Sequence, residues 1–268
     1  MPVVVCTMIL GVLVGTHVSC WGMYKDAPHE GFTWPKFSRS IVLAALIAPV
    51  VSALFNVAPV AAASAVILFG VVYASERLIL EAWKTFFRNQ DQGKYAIPMQ
   101  LAVFGKPVLS RVTRVVLGCI YVGILLGGIV LVARLYPVST LSPLLLAGTL
   151  GAVGGWVSAF GGAWKDAPIE GFETLKFFRS PAIAACYAFL LYTLGATPIQ
   201  GLLGAIGYTV ATTETYKTFF FRSKPRGKFA GKPILFPEML RQRQYLIPIY
   251  SGIWLVIIVG MVTAVRSR

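Results

Sequence analysis

Charge is scarce in this chain, and acid is scarcer still. Of 268 residues only ten are Asp or Glu, two are His and four are Cys, and charged residues make up 13%, where a soluble domain carries about 25%. The four cysteines, Cys6, Cys20, Cys119 and Cys186, have no metal-ligand or redox spacing, which excludes a zinc ribbon or CxxC chemistry and leaves them as buried thiols. There is no P-loop, nucleophile elbow, HExxH or paired CxxC, so no familiar enzyme signature supports catalysis. A formal net charge of +14 would suit nucleic acid, but no reading module accompanies it. The first apolar segment lacks the basic flank and small-residue cleavage site of a signal peptide, and it reads as a membrane span.

What the chain has in abundance is apolar length. It is 57% hydrophobic, with a mean hydropathy of +0.74. Runs of roughly 18 or more apolar residues read as spans. Eight candidates emerge, at about 3–24, 41–57, 60–83, 113–136, 141–164, 181–197, 199–220 and 246–265. With those spans in place, all ten carboxylates fall on one side, as do 21 of the 24 Lys and Arg; only Arg134, Arg266 and Arg268 fall on the other. The positive-inside rule makes the charged side cytoplasmic and places both termini outside, in a multi-pass protein of the cell (inner or plasma) membrane.

The chain also repeats itself. Lys25-Asp26-Ala27-Pro28-His29-Glu30-Gly31-Phe32 returns as Lys165-Asp166-Ala167-Pro168-Ile169-Glu170-Gly171-Phe172. From Gly22 to Ser40, 12 of 19 positions match their counterparts without a gap. A period of roughly 135 residues is too long for a solenoid unit. It divides the chain into two four-helix membrane repeats, 1–137 and 138–268. Four crossings return the chain to its starting side. The expected fold is therefore all-α, with eight transmembrane helices as two parallel repeats about a pseudo-two-fold axis along the membrane normal. Gly11-x3-Gly15 and Gly151-x3-Gly155 let helices approach closely, and spans one and five are the expected pair at the axis. Eight mostly apolar residues, Ile97 to Phe104, are extra in the first copy and suit a short interfacial segment.

The repeated loop concentrates the candidate chemistry. Asp before Ala-Pro suits a helix cap, so the motif reads as one capped turn at the membrane surface. Together the two copies supply carboxylates from Asp26, Glu30, Asp166 and Glu170, and cations from Lys25, Lys36, Arg39, Lys165, Lys176 and Arg179. The four carboxylates are candidate oxygen ligands for Mg²⁺ or Ca²⁺. The surplus cations suit phosphate or another anion, which Arg grips with two parallel bonds. Glu81 and Glu214 close spans three and seven, with Lys84 and Lys217 placed for i,i+3 ion pairs. Arg88, Lys94, Arg222, Lys224, Arg226 and Lys228 are candidate lipid head-group contacts, at roughly 1 kcal/mol per cation near an anionic surface.

Some positions break the repeat. Glu76 and Arg77 face Thr209 and Val210, and His17 faces Val157. A single asymmetric working site would lie where the halves differ. His29 faces Ile169 and reads as an exposed loop residue.

These features favour a transporter or channel for an ion or a small anionic or phosphorylated solute. A membrane enzyme acting on a lipid-linked phosphate at the inner surface is an alternative. So is a non-catalytic lipid-binding subunit of a larger membrane complex. Anionic lipids are the expected partners, with a homo-oligomer or complex partners compatible and nucleic acid excluded.

Overall fold

A computed structural model describes residues 2–93, 95, 99–103, 106–136, 139–221 and 227–268, without the side chains of Lys165, Pro168 and Glu170. Among the described residues eight long helices carry the fold. They are α1 (Val3–Glu30), α2 (Trp34–Phe55), α3 (Ala62–Ala82), α4 (Arg111–Leu135), α5 (Pro143–Glu170), α6 (Thr174–Thr193), α7 (Pro198–Phe219) and α9 (Leu246–Arg266). A one-turn α8 (Met239–Gln242) precedes the last, and α3 runs on into a π-helical turn, Trp83–Phe87. Strands β1 (Ala102–Val103) and β2 (Lys106–Pro107) pair antiparallel ahead of α4, so part of the extra segment in the first copy is one arm of a small hairpin.

The protein is all-helical and membrane-like. Among the described residues six stretches are long and apolar enough to cross a membrane: Val3–Glu30, Trp34–Phe55, Ala62–Phe87, Arg111–Leu135, Pro143–Trp164 and Met239–Arg266. Helices α6 and α7 are not among them. Lys176 and Arg179 dilute the first, and Gln200, five threonines, Glu214 and Lys217 dilute the second.

Glycine decides which helices meet. A side chain at Gly11 or Gly15 would run into the α2 backbone at Ala44, Ser40 and Ile41, and one at Gly151 or Gly155 into α6 at Ala184, Ser180 and Pro181. The two glycine motifs therefore close α1 on α2 and α5 on α6, correcting the expectation that they bring spans one and five together. The tight contact between the halves is instead α3 on α7. There Gly70, Gly204 and Gly207 allow near backbone contact, and the Tyr208 hydroxyl donates to the Val66 carbonyl at 2.8 Å. Helix α9 crosses back to pack on α3 and α1. Helix α4 leans on the π-turn through Gly118, Phe86 and Tyr121, and otherwise presents apolar side chains outward.

The repeated loop is not a separate capped turn. Helix α1 runs through it to Gly31 and α5 to Gly171, which stop the helices at φ +73° and +82°, a backbone region open to glycine. Asp26 and Asp166 thus sit inside the last helical turns rather than at N-caps. Pro28 withholds one helical N–H, and the Tyr24 carbonyl it would have met accepts from Arg243 Nη1 at 3.1 Å. The Pro28 carbonyl in turn accepts from the backbone of Leu235 and Phe236, which ties the segment before α8 to the end of α1.

Candidate functional site at the charged end of the bundle

The charged residues of both halves meet at one end. Lys25, near the end of α1, lies 2.7 Å from Glu214 near the end of α7. Lys217, one turn after Glu214 on α7, lies 2.7 Å from Asp166 of α5. Lys228 reaches Asp26 at 3.2 Å, and Lys36 reaches Glu30 at 3.5 Å. The i,i+3 pair Lys84–Glu81 forms at 3.3 Å. Its counterpart in the second half does not, because Glu214 is taken by Lys25 and Lys217 by Asp166. The Lys25–Glu214 pair joins the two halves directly, and its side chains are only 15% and 17% exposed.

The three described carboxylates of the proposed cation set, Asp26, Glu30 and Asp166, are thus each held by a lysine. Among the described residues no group of three His, Cys, Asp or Glu side chains comes together to hold a metal ion. The side chains of Lys165 and Glu170 lie outside the described residues, as do Lys94, Arg222, Lys224 and Arg226. Arg179 sits over the Tyr216 ring at 5.3 Å, and Lys176 is half-buried.

Deeper in the bundle the residues that break the repeat converge. Glu76 is fully buried and is gripped by its neighbour Arg77, with Nε at 2.5 Å and Nη2 at 2.8 Å. Arg77 also reaches Ser40 Oγ at 3.5 Å and Glu81 at 4.0 Å. Its guanidinium lies 5.5 Å from the Trp21 ring, and Lys25 Nζ lies 4.7 Å from the same indole. Trp21 Nε1 donates to the Tyr73 hydroxyl at 2.8 Å, and that hydroxyl also meets His17 Nδ1 at 3.2 Å. His17 is fully buried. It stacks on Tyr250 at 4.3 Å and meets Trp254 edge-on at 5.3 Å. Among the described residues its Nε2 has no hydrogen-bond partner. A connected polar path therefore runs from Lys25 past Trp21 and Tyr73 to His17, inside a wall of aromatic rings.

At the rim, Arg88 follows the π-turn and is buried. Its guanidinium lies 4.3 Å from the Tyr95 ring, and one Nη donates to Gln92 Oε1 at 2.8 Å. Arg39, half-buried on α2, lies within electrostatic reach of Arg77, Glu76, Arg88 and Tyr95.

Some of this was missed in the sequence. His29 is buried rather than loop-exposed. It stacks flat on Phe229 at 4.3 Å, and its Nδ1 meets the Pro233 carbonyl at 2.8 Å. Phe229 stands where the first copy has Tyr95 in the repeated Gly-Lys-aromatic-Ala motif, and that aromatic position was the available signal. Cys119 and Cys186, read as buried thiols, are exposed on helix surfaces. Compared with protein-family models, with curated proteins and with solved structures, the chain matches none.

Proposed function

We propose that the protein is an eight-span membrane carrier for a small anionic solute, with its charged end cytoplasmic and its two halves arranged as parallel repeats. The observation that carries this reading is the Lys25–Glu214 bridge between the halves. An ion pair across a repeat interface is a natural latch. It holds that end shut, and an arriving anion that competes for Lys25 releases Glu214. Rocking of one repeat against the other would then expose the solute to the far side.

Two further features support the reading. Ionisable groups within the membrane are costly and by default mark a pathway or a coupling site, and Arg77, with Glu76, and His17 are linked to Lys25 of the latch through Trp21 and Tyr73. The excess of cations at that end raises the local anion concentration before any specific contact forms.

The test is uptake of labelled inorganic phosphate and of a sugar phosphate into liposomes holding the purified protein. Lys25→Gln and Glu214→Gln each lose uptake, and the exchanged pair Lys25→Glu with Glu214→Lys restores a substantial part of it. Wild-type vesicles no more permeable to either anion than protein-free vesicles would overturn the proposal.

A further inference from the structure

Arg39 and Arg88 differ from the described cations that pair with carboxylates at this end. Lys25, Lys36, Lys84, Lys217, Lys228 and Arg77 each have a carboxylate within 4.0 Å. Among the described residues neither Arg39 nor Arg88 does, and the Nε of each is buried without a hydrogen-bond partner. Arg114 is also buried, but two main-chain carbonyls hold its guanidinium at 2.9 Å. Among the described residues Arg88 has a single neutral acceptor, Gln92. Glu76, whose charge reaches Arg39, is already gripped by two nitrogens of Arg77.

Arg39 stands one helical turn beyond Lys36 on α2, and the charge of Arg88 is felt there. Lys36 adds a third cation, 5.9 Å from the same Tyr95 ring that Arg88 covers. Like charges drawn together in a half-buried setting repel, and a buried Arg88 cannot relieve this by swinging into water. What neutralises such a group is an anion with several acceptor oxygens. Phosphate matches guanidinium in shape and accepts paired bonds from it, and the ring beneath Arg88 holds its plane. The pairing also recurs in the sequence, where Arg179 and Arg222 stand at the corresponding places of the second half.

We propose that Arg39 and Arg88, with Lys36 at the edge, form a binding site for a phosphate group. This deepens the carrier reading by naming the chemical group that its solute bears. The same chemistry is offered by free phosphate or its small esters and by the head group of an anionic phospholipid, and the experiment separates them.

The purified protein is placed in phosphatidylcholine nanodiscs and titrated with inorganic phosphate by calorimetry. In parallel, native mass spectrometry counts phosphatidylglycerol retained from mixed phosphatidylcholine–phosphatidylglycerol membranes. Arg39→Gln and Arg88→Gln each weaken binding about tenfold or more, and the double variant abolishes it. Arg39→Lys with Arg88→Lys keeps the charge, preserves the fold and binds weakly. Arg241→Gln, an exposed cation on α8, changes nothing. Loss in the calorimetric arm assigns the site to a soluble phosphate, and loss in the lipid arm assigns it to a head group. Wild-type protein that binds neither probe, or folded Arg39 and Arg88 variants that bind as wild type does, would overturn the site. Arg-dependent binding without flux overturns the carrier and leaves the site standing. Flux unchanged in a double variant that has lost binding would overturn the claim that the carrier holds its solute at this site.

Discussion

Arg243 donates to the carbonyl of Tyr24, the carbonyl that Pro28 leaves without its helical partner, and the same guanidinium lies 4.3 Å from the Tyr24 ring. A side chain more than two hundred positions away (|i−j| = 219) thus completes the hydrogen bonding of α1. Arg243→Gln should lower stability by about 1–2 kcal/mol through the lost bond and stacking. Adding Pro28→Ala, which restores the helical N–H, should recover part of that loss. Thermal unfolding in detergent micelles reads both, and an Arg243→Gln midpoint equal to wild type would remove this role.

Glycine substitutions should sort by what a new methyl group meets. Gly15→Ala drives a Cβ into the α2 backbone at Ile41 and should cost about 1–3 kcal/mol as overpacking. Gly123→Ala on α4 meets open space. It should be neutral or stabilising by about 0.5–1 kcal/mol, because alanine favours helix. Equal effects at the two sites would contradict the packing of α1 on α2.

Glu76→Gln leaves Arg77 buried beside an uncharged partner, and should destabilise by about 3–5 kcal/mol. Glu76→Leu combined with Arg77→Met removes both charges and should return most of that stability, since well-packed apolar pairs replace buried ion pairs at little loss. The carrier reading requires the double variant to stay folded and lose uptake. A stable double variant with normal flux would make the pair a packing feature.

Tyr73→Phe strips the acceptor from Trp21 Nε1 and the partner from His17 Nδ1 in one step. With two buried polar groups left unpaired, the expected loss is about 2–4 kcal/mol. His17→Phe keeps the ring that stacks on Tyr250 and should cost less. A hydrogen-exchange comparison of the indole N–H in wild-type and Tyr73→Phe protein would show whether that bond is made.

The helical class and all eight long helices were readable from run length, although α6 and α7 are not among the six stretches long and apolar enough to cross a membrane. The extent of the repeated loop was misread. Asp-Ala-Pro is a helix-start pattern, yet α1 and α5 both run on through their prolines to a terminating glycine, and in α1 the carbonyl that Pro28 leaves is met by a distant Arg243. Charge partners were legible when they lay one turn apart, as in Glu81–Lys84. Lys25–Glu214 was not, because 189 positions separate the two residues and nothing local distinguishes Glu214 from Glu81. His17, Glu76 and Arg77 were each visible as breaks in the repeat. Their connection through Trp21 and Tyr73 depends on how α1 and α3 face each other, which sequence periodicity leaves open.

The return of α9 to the first half sets an order of assembly. Chains emerge from the ribosome N-terminus first and fold in that sense, so α1 and α3 are made long before the helix that covers them. Until Tyr250 and Trp254 arrive, the ring of His17 lacks two of its walls and faces whatever surrounds the nascent bundle. Insertion of the first half can be complete while its interior is not. Closure of the polar path is then a late, post-insertion event, and a ribosome stalled just before α9 would leave His17 within reach of a chemical label that the finished protein excludes.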